Sequence, residues 1–118
     1  MHLPETWLGV LALVVLAFAV AGGALTAFML LTDRNPPLDL GLVHGRAGVA
    51  GILVLAIAAM LGVETGARVW AALVLLALTV AGGAMLYFFI RRKGILSGAM
   101  ILGHGALAVA ALATLLFA

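Results

Sequence analysis

The sequence predicts an all-α integral membrane protein, a four-helix bundle made of two tandem copies of one helix pair. Three observations predict it. Of the 118 residues, 67% are hydrophobic and 8% charged, against roughly a quarter charged in an ordinary soluble domain. The apolar residues fall into four runs, each near the roughly 20 residues a helix needs to cross a hydrocarbon core of about 30 Å. Paired glycines and a histidine also recur in the second half of the chain at matching positions.

A small soluble domain leaves about 40% of its unfolded surface in water, and too few polar residues are present here to cover it. The solvent for that surface is therefore lipid. With no cysteine in the chain, disulfides and thiolate metal sites are excluded. The net charge of +2 sits mostly between the apolar runs, where it reports on topology; it forms no nucleic-acid patch.

The first run covers about 6–31. Its start carries Glu5 and no Lys or Arg, and it is longer than the apolar stretch of a secretory signal, so it reads as a retained helix. Asp33-Arg34-Asn35-Pro36-Pro37 separates it from the second run, about 39–61. Gly62-Val63-Glu64-Thr65 leads to the third, about 66–90, and Arg91-Arg92-Lys93-Gly94 to the fourth, about 95–117. Each break is too short to be a domain, so 1–118 forms a single membrane domain. Glu5, Asp33, Asp39 and Glu64 fall at helix ends and read as caps or solvated loop charges.

Val20-Ala21-Gly22-Gly23-Ala24 recurs as Val80-Ala81-Gly82-Gly83-Ala84, and His44-Gly45 as His104-Gly105, both at an offset of 60, so the copies align without a gap. Aliphatic identities such as Leu16 with Leu76 accompany them, but helices of Ala, Leu and Val match one another by chance. The Gly-Gly and His-Gly pairs carry the repeat, whose copies cover about 6–61 and 66–118. Each copy holds two helices, so both enter the membrane in the same direction. The expected relation is a pseudo-two-fold axis along the membrane normal.

Arg34, Arg91, Arg92 and Lys93 lie on one side of the four spans; the other side has Arg68 beside Glu5 and Glu64. The positive-inside rule then makes the segments 33–38 and 91–94 cytoplasmic and both termini external, as in a bacterial inner membrane.

In an antiparallel bundle with short loops the second and fourth helices are diagonal neighbours. His44 and His104 come to one depth on that diagonal, in the cytoplasmic half. Helix axes about 8–10 Å apart make the diagonal roughly 12–14 Å, room for two imidazoles with a metal macrocycle between them. Gly41, Gly48 and Gly51 share the stripe of His44, and Ser97, Ala108 and Ala111 that of His104. These small residues leave space for a flat group. Gly22, Gly23, Gly82 and Gly83 sit at the matching depth on the other two helices, where a bare backbone approaches a ring closely.

The arrangement resembles the membrane b-type cytochromes, above all the four-helix haem-binding core of the cytochrome b subunit of quinol:cytochrome c reductases. The resemblance lies in His44, His104, Gly22, Gly23, Gly82 and Gly83 and is one of motif, not of overall sequence. It implies paired histidines ligating haem b, with glycines admitting the macrocycle. That family holds two haems stacked across the membrane, and this chain has one internal histidine pair.

Other readings of the same residues stand beside this one. An intramembrane histidine can hydrogen-bond a carbonyl and serve as helix glue. The pair can ligate chlorophyll-type pigments, one imidazole per ring. A bare Zn or Cu site is poorly served, because two nitrogens are too few and no intramembrane carboxylate completes the shell. Transport of a small solute is the remaining reading. Glycine pairs alone are ordinary helix-packing devices. Arg46, whose counterpart is Ala106, points away from the expected pocket and snorkels to headgroups. No carboxylate pair, serine–histidine pair or phosphate loop supports hydrolytic catalysis.

The function expected is thus a non-catalytic electron-transfer subunit with one haem b axially ligated by His44 and His104. Its partners would be lipid, and quinone or a redox subunit of a larger complex or oligomer. With both axial positions filled, the iron passes electrons without binding oxygen. The repeat predicts equal spectral losses on replacing either histidine. For the topology, a Lys93→Cys variant is expected to resist an impermeant thiol reagent from outside intact cells and to react after permeabilisation; labelling from outside would reverse the orientation.

Overall fold

The computed structural model describes residues 1–93 and 97–118. Four helices account for most of them: α1 (Trp7–Leu31), α2 (Leu38–Met60), α3 (Ala67–Lys93) and α4 (Gly98–Phe117). All four contain windows long and apolar enough to cross a membrane. Their outward faces carry large apolar side chains, among them Trp7, Phe18, Leu53, Val74 and Phe117, as contact with lipid requires.

Local chemistry sets the helix ends. Thr6 caps α1 by accepting from the Gly9 amide at 3.1 Å. Its other end closes on Asp33 in the left-handed region, φ 57°. There the Arg34 amide returns to the Met29 carbonyl at 2.8 Å and the Asp33 amide to that of Leu30 at 3.4 Å. This is a Schellman closure with aspartate where glycine is usual. Pro36 and Pro37 then hold the chain out of helix until α2 begins. α2 ends in the same closure on Gly62, φ 71°, with Val63 returning to Ala58 at 3.0 Å and Gly62 to Ala59 at 3.1 Å.

Two boundaries differ from the sequence reading. α3 continues through Lys93, so Arg91, Arg92 and Lys93 form its last turn and not a loop. Arginine and lysine are good helix formers, and positive charge is favourable at a helix C-terminus. Gly94 and the expected start of the fourth helix at Ile95 lie outside the described residues. Ser97, expected to line the stripe of His104, instead caps α4, accepting from the Met100 amide at 3.2 Å.

Short connections make the helices an antiparallel ring. α1 packs most extensively on α2 and α3 on α4; thinner seams join α2 to α3 and α1 to α4, and among the described residues the backbones of diagonal helices stay apart. The interdigitated core lies in one half of this ring. Ala12 and Leu16 of α1, Leu55 and Ala59 of α2, Val69, Ala72 and Leu76 of α3, and Ala111 and Leu115 of α4 form one buried cluster, all toward the end that carries Glu64. Gly51 belongs here too. A Cβ on it would lie 2.7 Å from Leu16 Cγ, so its missing side chain seats Leu16 and leaves no room for a flat group.

At that end polar bonds join the helices. Glu64, read from the sequence as a cap or a solvated charge, is in fact buried, 8% exposed. Its Oε1 accepts from the Thr6 hydroxyl at 3.0 Å, and its carboxylate occupies the place where a Cβ on Gly9 would stand. The sequence hides this because Gly9 and Thr6 lie on a helix remote from Glu64 along the chain. Arg68 donates to the Leu115 carbonyl at 2.7 Å, and the His2 amide to that of Leu116 at 2.6 Å. Thr6 thus both caps α1 and holds a buried carboxylate. Thr6→Ala is expected to lower stability in detergent by about 2 kcal/mol or more, combining a lost cap and a buried acceptor left unpaired. Thr6→Ser should stay close to wild type. Equal unfolding midpoints for Ala and Ser would show that the bond carries no weight.

Candidate functional site: a histidine pair seated on glycines

His44 and His104 are each six residues from the first residue of their helices, α2 and α4, or about 9 Å in at 1.5 Å per residue. They lie in the half of the bundle without the interdigitated core. Their imidazole rings meet across the interior with centroids 6.0 Å apart and planes at 88°. The sequence reading placed these two side chains together at one depth, and the structure brings them into contact.

Each ring rests on the neighbouring helix of its own hairpin, at a glycine. A Cβ on Gly23 would lie 2.6 Å from Cε1 of His44, 3.1 Å from Nδ1 and 3.2 Å from Nε2. A Cβ on Gly83 would lie 3.0 Å from Cε1 of His104, with both ring nitrogens beyond 3.5 Å. Gly22 and Gly82 stand one step back, their virtual Cβ atoms 3.7 Å from His44 Cβ and 3.8 Å from His104 Nδ1. Gly23 and Gly83 therefore make room for an imidazole of the adjacent helix. Gly41 and Gly48 are not drawn into this contact: a Cβ on either meets nothing within 4 Å.

A second group, which the sequence reading did not single out, completes the seat of His44. Its Nδ1 lies 2.7 Å from the Ala19 carbonyl oxygen. A carbonyl only accepts, so Nδ1 carries a proton, and in the neutral ring the lone pair is on Nε2. Ala19 is one helical turn before Gly23, and its carbonyl already receives the intrahelical bond of that residue. With no Cβ on Gly23 the oxygen is bare enough to take a second donor. A glycine facing a histidine thus marks the residue four places earlier as a carbonyl partner, and that is the signal available in the sequence.

The same offset from Gly83 leads to Thr79, a buried residue whose hydroxyl donates to the Leu75 carbonyl at 2.7 Å. Its backbone carbonyl stands near the His104 ring, but Nδ1 of His104, although buried, makes no hydrogen bond of ordinary geometry among the described residues.

Both Nε2 atoms are without a hydrogen-bond partner among the described residues. These two nitrogens are the groups that would hold a metal between the hairpins; the rings themselves, 6.0 Å apart and at 88°, stand as in an ordinary edge-to-face contact. Among the described residues no cluster of three or more His, Cys, Asp or Glu could hold a bare ion. A donor set of two imidazoles suits a metal whose other ligands come from a macrocycle. Arg46 is exposed, and Arg92 lies over the Phe88 ring at 4.9 Å; neither enters the site.

No family model, curated protein or solved structure matches this chain.

The seat predicts a difference between adjacent glycines. Gly23→Ala must displace the His44 ring, since its Cβ would overlap Cε1, and is expected to cost about 1–3 kcal/mol. Gly22→Ala adds an ordinary van der Waals contact and should stay near wild type or gain slightly in helix propensity. Unfolding in micelles measures both, and equal costs would contradict the seating.

Proposed function

We propose that this chain is a membrane electron-transfer subunit that holds one haem b between His44 and His104. The observation that carries the reading is the pair itself: two imidazoles from diagonal helices, at one depth, with centroids 6.0 Å apart. Three features support it. The proton of His44 is held on Nδ1 by the Ala19 carbonyl, which leaves Nε2 free for a metal, the usual arrangement of a ligating histidine. Gly23 and Gly83 let each imidazole lie against the neighbouring helix of its hairpin. The interdigitated core is confined to the other half.

The two hairpins act as repeats about a pseudo-two-fold axis in this reading. Burial recurs at corresponding positions: Gly9 and Val69, Ala12 and Ala72, Leu16 and Leu76, Ala19 and Thr79, Gly51 and Ala111, Leu55 and Leu115 are all buried.

Bound there, haem b would supply reversible one-electron chemistry at iron. The chain's contribution is to hold both imidazoles, to keep water from the site with apolar walls, and to set its depth. About 9 Å from the starts of α2 and α4, the site is nearer one face, and that face must meet the donor or acceptor, a quinone or a redox subunit. With the basic last turn of α3 on the same side, the positive-inside rule makes it the cytoplasmic face of a bacterial inner membrane. Connections this short carry no further domain, so the subunit works within a larger complex or oligomer.

One observation favours a second reading. The bond from His44 to the Ala19 carbonyl is itself interhelical, so the histidines could serve assembly alone, with no cofactor. A pigment of the chlorophyll type is the third candidate. Titration of haem into the purified protein separates them. The first reading expects a sharp low-spin spectrum saturating at one haem per chain, abolished in the His44→Ala/His104→Ala double variant while helicity by circular dichroism is kept. Saturation at two pigments per chain supports pigment binding. A colourless protein that takes up neither supports assembly and sinks the haem reading.

A further inference from the structure

The two histidines occupy unequal seats. His44 has its Nδ1 proton on the Ala19 carbonyl at 2.7 Å and lies on Gly23 so closely that a Cβ there would come within 3.2 Å of three ring atoms. His104 has a buried Nδ1 with no hydrogen bond among the described residues, and its ring stands further from Gly83, with only Cε1 within 3.5 Å of a virtual Cβ. The glycines flanking the two rings do not differ: Gly45 beside His44, and Gly103 and Gly105 beside His104, are all exposed with nothing within 4 Å of a virtual Cβ. Anchoring and contact are what separate the two positions.

We infer that His44 is the fixed ligand of a metal bound here and His104 the releasable one, so that a small neutral ligand can take the place of His104. The inference rests on the haem reading above and refines it. A metal-bound histidine whose other nitrogen proton is held by a carbonyl is oriented and made more basic, and losing such a partner typically costs 10–100-fold in affinity. His44 has that partner and His104 lacks it. For His104 to present Nε2 it must carry its proton on Nδ1, where the Thr79 carbonyl stands near the ring but makes no hydrogen bond of ordinary geometry. The competing form, with the proton on Nε2, cannot bind a metal. The exchange breaks one coordinate bond, from His104 Nε2, and makes one to the incoming ligand, with no change in protons or electrons. The repeat by itself predicts equal effects of the two histidines; the seats predict unequal ones.

Two measurements test this, the first needing no cofactor. Nitrogen-15 NMR of the haem-free protein in lipid bilayers should show His44 as a single tautomer protonated at Nδ1, and His104 as exchanging or protonated at Nε2. Two histidines locked alike at Nδ1 would overturn the inference. In the second, haem is titrated into the wild type and the single variants. His104→Ala should bind within about tenfold of wild type, become high-spin, and take up carbon monoxide when reduced. His44→Ala should bind at least tenfold more weakly than His104→Ala. Reduced wild type should also bind carbon monoxide, which keeps the test open if His44→Ala does not fold. Equal losses, the reverse order, or a wild type inert to carbon monoxide overturn the inequality and leave the haem reading standing. A wild type that takes up no haem overturns both.

Discussion

Lipid tails solvate a leucine about as well as a neighbouring helix does, so apolar helices in a bilayer associate through close packing and a few polar bonds and not through the expulsion of water. The rest of this structure depends on that constraint. Its helices expose Phe, Leu and Val outward at no penalty in such a solvent. What joins them is a short set of directional bonds and the places where glycine lets one element sit against another.

Those devices divide between the two ends of the bundle. At the Glu64 end, Thr6, Glu64 and Arg68 make bonds between elements far apart in sequence, and Leu16 seats into Gly51. The helices there enclose a shared core. At the histidine end, the hairpins are held internally, α1 to α2 through the Ala19 carbonyl and Gly23 and α3 to α4 at Gly83, and the hairpins meet through the two imidazoles. The Glu64 end therefore holds the buried core and the bonds between distant elements. The other is where a ligand between the hairpins would change their packing most.

A polar group inside such a bundle is costly unless it is satisfied, and the histidines answer this differently. His44 is satisfied within the chain and still keeps a free nitrogen. His104 is satisfied only in part. Seats that look identical as Gly-Gly and His-Gly in sequence differ by tenths of an ångström in approach, and such differences decide whether a hydrogen bond forms.

The sequence by itself determined four helices long and apolar enough to cross a membrane, because apolar length and proline or glycine breaks act locally. It determined the common depth of His44 and His104, which follows from counting residues along two helices. It misplaced the end of α3 and the start of α4, where the last turn is charged and the cap is Ser97. It missed Glu64 because burial there depends on Gly9, and it missed the Ala19 carbonyl because a backbone oxygen has no residue identity. Only the tertiary structure decided which backbone faces each ring, that Gly41 and Gly48 stand apart from the contact, and that the two histidines are unequally held. Helix formation answers to neighbours three or four residues away, whereas the seat of a side chain is set by atoms that folding alone brings near.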